Sequence, residues 1–226
     1  LTVTITTNNG SLFPAGTITV SPATGGTGVE RTITLNPPDN QNGTALVTVS
    51  VTDGSETVNQ QFTATVTAVN DAPVISSTAI ISATEDSPYS YTMTASDVDG
   101  DVLTYSAPTL PSWLSFDTGT HVLSGTPANA NVGDHSVTLR VNDGTVDVDQ
   151  SFTVTVSNTN DTPVLSAITD PAAVLEDGDN IVMSVSPTDV DVGESLTVSV
   201  STNNESLFPA GTITVSPETG VSDETR

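Results

Sequence analysis

The strongest constraint on this chain is that it repeats itself at two different lengths. Residues 1–20, LTVTITTNNGSLFPAGTITV, return as residues 196–215, LTVSVSTNNESLFPAGTITV, 195 positions later. A looser echo has a shorter period. Asn70-Asp71-Ala72-Pro73-Val74 answers Asn160-Asp161-Thr162-Pro163-Val164 at a spacing of 90 residues, and Asp53-Gly54 and Phe62 answer Asp143-Gly144 and Phe152 at the same spacing. A unit of 90 residues therefore alternates with one of 105. Repetition at a fixed period means an array of like modules, lengthened by duplication. Three pieces follow: residues 1–71 as the C-terminal part of a longer, type A unit; 72–161 as a complete shorter, type B unit; and 162–226 as the N-terminal part of the next type A unit. The chain opens on Leu1 with no leader pattern and reads as an excerpt of something longer.

Inside the modules the period is two. Tyr89–Thr94, Ser136–Val141 and Ser151–Val156 alternate apolar and polar residues, and Asp99-Gly100, Gly133-Asp134 and Asp143-Gly144 supply turn chemistry between them. Short alternating strands rich in Val, Ile and Thr predict an all-β fold of antiparallel sandwiches or barrels, and no stretch sustains a helical period. The complete unit is long enough to close one two-layer core, with Trp113, Phe116 and Phe152 as its expected fillers. His121 and His135 fall in predicted strands and read as strand positions rather than bases or ligands. Asp147 and Asp149 alternate on a strand and mark a solvent face.

The charge of this strand-rich chain is one-sided. Against 27 acidic residues stand three arginines, Arg31, Arg140 and Arg226, for a net charge of −24. Such a surface repels nucleic acid and anionic membranes, and no segment is long and apolar enough to insert. Without cysteine there is no disulfide, and without lysine no lysine isopeptide link. Rigidity must come from elsewhere, and a bound metal is the leading candidate. The acids gather in recurring turns: Glu85-Asp86, Asp97-Val98-Asp99-Gly100-Asp101 and Asn142-Asp143-Gly144, then Asn160-Asp161, Glu176-Asp177 and Asp189-Val190-Asp191. Calcium takes about six to eight oxygen ligands, several of them carboxylates. Asp97 and Asp99, two apart in an extended segment, share one side and can grip one ion together. Asp and Asn are also ordinary turn formers, so each motif alone is a weak signal. No nucleophile–base set stands out, which predicts a protein that is not an enzyme.

The complete unit reads VNDAPVI, ATEDSPYSYTMTASDVDGDVLTYS, LPSWLSFD, VLSGTP, HSVTLRVNDG and QSFTVTVSNTNDTPV in order. It resembles the dystroglycan-type cadherin-like repeat of large bacterial surface adhesins, and type A resembles the related cadherin-like repeats beside it. The resemblance implies tandem seven-stranded Greek-key sandwiches of the cadherin/Ig kind, joined end to end, with calcium (Ca2+) between successive domains. It implies a first junction built from Asn70, Asp71, Asp97, Asp99 and Asp143. It implies a second built from Glu85, Asn160, Asp161, Asp189 and Asp191. Cadherins add an acidic motif late in the sandwich; Leu123-Ser124-Gly125-Thr126-Pro127 has no acid there, which implies fewer or weaker ions.

The leading expectation is a structural extender in a large extracellular or cell-surface adhesin of a bacterium, its partners being the neighbouring repeats of the same polypeptide. Two alternatives stand beside it. One is a self-assembling filament or cell–cell contact protein built by head-to-tail exchange between split domains. The other is a glycan-binding accessory module, which an aromatic content of 4% disfavours.

Overall fold

The computed structural model describes residues 1–176, 178, 180–191 and 195–215, and the backbone of 219–221. Asp177 and Arg226 lie outside the described residues. Every regular element among the described residues is a β-strand apart from one 3-10 turn at Asn129–Asn131. They divide into two compact units, one of residues 1–76, 95–104 and 141–148, the other of 77–94, 105–140 and 149–226.

In the first unit, β1 (Thr2–Thr7), β2 (Ile18–Ser21), β3 (Thr32–Leu35), β4 (Gly43–Thr52) and β5 (Thr57–Val66) form a three-stranded sheet in the order β1-β4-β5 and a β2-β3 hairpin. All are antiparallel. Alternation sends one side of β1 to β3, of the start of β4 and of the last residues of β5 inward. Leu12, Phe13 and Ala45 make the buried centre, with Ile18, Leu35, Ala64 and Val66 packed on it. Leu12 and Phe13 reach that centre from a loop because Asn9 shapes it. Its Oδ1 accepts from Leu12 N at 3.1 Å, and its carbonyl accepts from Phe13 N at 3.1 Å. Asn8 clips the loop to β4, its Oδ1 accepting from Leu46 N at 2.8 Å.

Next come β6 (Val74–Ile75), β7 (Ser82–Thr84), β8 (Tyr89–Thr92), β9 (Ala95–Ser96), β10 (Thr104–Thr109), β11 (Leu114–Asp117), β12 (Val122–Gly125), β13 (Gly133–Asn142) and β14 (Asp147–Ser157). The sheets run β10-β13-β14-β7, β11-β12-β8 and β6-β9. Counting β6 with β7 and β8 with β9 as interrupted single strands gives seven strands, the Ig-like sandwich expected from the sequence. Its four-stranded sheet closes with β7 running parallel to the end of β14.

Aliphatic side chains fill most of the middle. Met93, Leu123, Val137, Leu139, Val154 and Val156 are buried, together with Tyr89 and Tyr91. The expected fillers Trp113, Phe116 and Phe152 are only half-buried. Trp113 stands edge-on to Tyr89 at 5.8 Å and to His135 at 5.7 Å, and Phe152 edge-on to Tyr91 at 5.9 Å. Gly125 has no room for a side chain, since a Cβ would collide with the Trp113 carbonyl. One strand expectation fails: His121 sits in the turn before β12 at φ 59°, stacked on Tyr105 at 3.7 Å. His135 lies in β13 as expected. Asp149 is exposed and forms a bidentate pair with Arg140 at 2.7 and 2.9 Å.

Beyond β14, β15 (Val164–Leu165) pairs with β16 (Pro187–Thr188), and β17 (Ser195–Thr197) with β18 (Thr219–Val221). The first pair repeats the β6-β9 pairing one unit later, Val164 opposite Thr188 as Val74 is opposite Ser96.

Candidate metal centre

Two acidic clusters form, one in each unit, and both grow from a two-residue strand pair. In the first unit, β6 and β9 hold Asn70-Asp71 beside the Asp97–Asp101 turn. The turn folds on Asp97, whose Oδ1 accepts from Asp99 N at 2.8 Å and Asp101 N at 3.4 Å. Gly100, at φ 81°, takes the left-handed conformation that lets the chain reverse there. Asp99 Oδ2 accepts from Asp71 N at 2.7 Å. Asn70 donates to Asp143 Oδ2 at 2.9 Å and to the Asp71 carbonyl at 3.1 Å. Asp143 Oδ1 closes its own turn by accepting from Thr145 N at 2.7 Å and Val146 N at 2.6 Å. The Asn70 amide, then these backbone donors, hold the Asp143 carboxyl below the usual carboxylate range.

Asp97, Asp99 and Asp101 each present a carboxylate oxygen within 4.8 Å of the other two. Asp97 Oδ2 is buried without a hydrogen-bond partner. A cavity of about 340 Å³ opens beside them, lined by Asn42, Ala68, Val69, Asn70, Asp99 and Asp101.

The second unit repeats this linkage. Asp191 Oδ2 accepts from Asp161 N at 2.6 Å, Asp189 Oδ1 from Asp191 N at 3.0 Å, and the Asp161 carbonyl from Asn160 Nδ2 at 2.7 Å. Three further groups join. Asn158 and Asn129 donate to Asp191 Oδ1 at 2.9 and 3.3 Å. Glu85, from the turn after β7, accepts from Thr159 N through Oε1 at 2.6 Å. Asp161 N, and then Asn158 and Asn129, keep the Asp191 carboxyl below its ordinary value.

Glu85 and Asp191 are each 1% exposed. Together with Asp161 they bring three carboxylate oxygens within 4.8 Å of one another. Glu85 Oε2 has no hydrogen-bond partner. An unpaired buried carboxylate oxygen among like charges is unfavourable unless a cation faces it.

All ten sequence-selected residues fall in these two places. Asp97 and Asp99 converge, and so do Glu85, Asp161 and Asp191. Asp143 joins the first cluster through the Asn70 amide, Asp71 through its backbone. Asp189 supports Asp191, and Asn160 braces the linker carbonyl. Three participants were missed as site residues. Asp101 was visible in the Asp-Val-Asp-Gly-Asp run as a third acid. Asn158 and Asn129 had no motif to mark them, and Asn129 sits on a turn whose path the sequence does not disclose. An all-oxygen set of carboxylates and amides suits a hard cation, and one supplied by the protein suits calcium rather than magnesium. The residues present therefore fit calcium, which Glu85, Asp161 and Asp191 would hold in one cluster and Asp97, Asp99 and Asp101 in the other.

Comparison with known proteins bears on the middle of the chain. Residues 72–157 match the family described as "Putative Ig domain". No curated protein matches the sequence. Among solved structures, mouse protocadherin-24 EC1-3 is similar at 16% identity and a TM-score of 0.44, over 87% of this chain and 71% of that one. Human protocadherin-24 EC1-2 is similar at 20% identity and a TM-score of 0.41, over 70% of this chain and 82% of that one. The endo-fucoidan hydrolase MfFcnA4 of glycoside hydrolase family 107 is similar at 25% identity and a TM-score of 0.35, over 69% of this chain. The chain spans only 24% of that hydrolase's length. No helix among the described residues is long and apolar enough to cross a membrane.

Proposed function

We propose that the chain is an extender region of a large extracellular adhesin, a non-enzymatic run of sandwiches whose junctions are stiffened by calcium. The observation that carries this reading is Glu85. It comes from one sandwich, is buried, leaves one oxygen without a partner, and meets Asp161 and Asp191 from the segment that follows. A cation bridging the three ties the next segment to the sandwich before it. A net charge of −24 makes the untied state self-repelling. The repeat at 195 residues supports a spacer role, because length is what duplication adds.

The reading is tested on the intact chain by thermal melting and small-angle scattering, in calcium and in chelator. Chelation is expected to lower the melting temperature and broaden the distribution of interdomain distances. Superimposable curves in both measurements would refute it.

A further inference from the structure

Glu85 and Asp191 are equally buried but not equally satisfied. Glu85 leaves Oε2 without a hydrogen-bond partner. Asp191 takes Asp161 N on Oδ2, and on Oδ1 it takes two amides, Asn158 Nδ2 at 2.9 Å and Asn129 Nδ2 at 3.3 Å. Both amides belong to the sandwich of β6–β14, whereas Asp191 belongs to the segment that follows it. A carboxylate oxygen has about two acceptor sites, so the amides occupy those of Oδ1. A donor and a cation are alternatives for the same lone pair.

The sandwich places both amides through its own backbone. Asn129 opens the 3-10 turn, where its carbonyl accepts from Val132 N at 3.1 Å and the Ala128 carbonyl from Asn131 N at 2.7 Å. Asn131 closes the turn from the other side, its Oδ1 accepting from Ala128 N at 2.9 Å and its carbonyl from His135 Nε2 at 2.6 Å. Just before the turn, the Pro127 carbonyl accepts from Asp86 N at 2.8 Å, which ties it to the turn that carries Glu85. Asn158 lies between two bonds to Glu85: Glu85 N donates to the Ser157 carbonyl at 3.1 Å, and Thr159 N to Glu85 Oε1 at 2.6 Å.

The first cluster has no such pair. The 90-residue echo sets Ala68 where Asn158 stands and Asp39 where Asn129 stands, and neither an alanine nor an ionised carboxylate donates from its side chain. Asp99, whose place in the linkage is that of Asp191, is exposed and takes the linker N–H of Asp71. The amide pair is a property of the second cluster and not of the repeat.

We infer that Asn158 and Asn129 form an amide latch on Asp191, which holds the following segment to the sandwich when no cation is bound and which calcium must open to grip Asp191 through both oxygens. The amides are donors to Asp191 and not ligands of the ion, and they set the calcium level at which the second cluster loads. The competition rests on the calcium reading above; the hold on Asp191 does not.

Asn158→Ala and Asn129→Ala test this in the intact chain carrying Asp97→Ala, so that calorimetry reads the second cluster. In chelator, Asn158→Ala is expected to lower the melting temperature by about 2–4 °C, and Asn129→Ala, whose bond is longer, by less. Asn158→Ala is expected to bind calcium about tenfold more tightly, the worth of one competing hydrogen bond to a charged group. Asn129→Ala moves both readings the same way and carries the test should Asn158→Ala not fold. Weaker calcium binding in these variants would make the amides ligands and overturn the inference, as would melting in chelator that neither variant changes. If the Asp97→Ala chain binds no calcium and the variants still melt lower in chelator, the calcium reading and the competition fall and the hold on Asp191 stands.

Discussion

The two acidic clusters share one linkage and differ in what closes it. In both, a linker Asp donates its N–H to the second carboxylate of an Asp-Val-Asp turn, at 2.7 Å from Asp71 to Asp99 and 2.6 Å from Asp161 to Asp191. In both, the first carboxylate of the turn accepts the N–H two residues on. That much is local and travels with the repeat. The second cluster adds Glu85 from the preceding sandwich, and Asn158 and Asn129 as donors to Asp191, and its centre is buried. The first draws its three convergent acids from a single turn, and Asp99 and Asp101 are exposed. The repeat motif alone therefore builds an open half-cage, and a neighbour's glutamate makes it a closed one.

The comparison breaks most sharply at Asp191. Asp191→Ala removes the acceptor of the Asp161 N–H and of two amides, and should weaken calcium at the second cluster by more than about a hundredfold, the usual ceiling for losing a partner outside the ligand shell. Titration calorimetry on the intact chain checks it. Glu85→Gln should weaken the same site nearly as much and reverse sign in chelator. With no cation present, the variant no longer buries an unpaired carboxylate and should melt higher than the parent.

Asp97→Ala should affect only the first cluster, by about tenfold in affinity, because all three acids come from one turn and two of them are exposed, so water replaces a lost ligand readily. Asp161→Ala should spare the first cluster and weaken the second. A variant at either place that alters both clusters would show them coupled through the sandwich.

The smallest expected effect is on acid stability. Hydrogen bonds hold the carboxyls of Asp143 and Asp191 below the ordinary 3.8. Each contributes stability that is fully present above that value and is lost as pH falls through the lowered folded-state value. In chelator, melting temperatures should hold down to about pH 5 and drop toward about pH 3, and Asp143→Asn should flatten part of that drop.

Strand positions and the acidic turns were legible in the sequence because period-two alternation and Asp-Gly punctuation act over a few residues. Burial was less so. Leu12 and Phe13 are buried from a loop held by Asn9, and no alternation announces that. The same limit explains the aromatic residues. Trp113 and Phe152 were expected to fill the core by size, but the centre is made of aliphatic side chains with Tyr89 and Tyr91, and Trp113 and Phe152 are only half-buried beside it.

The central claim is that a cation belongs with Glu85, Asp161 and Asp191. Terbium luminescence, competed by calcium, on the parent chain and on Glu85→Gln and Asp97→Ala measures it most directly. The account predicts a tight class of sites in the parent that survives Asp97→Ala and is lost in Glu85→Gln. Equal calcium competition in the parent and in Glu85→Gln would contradict it.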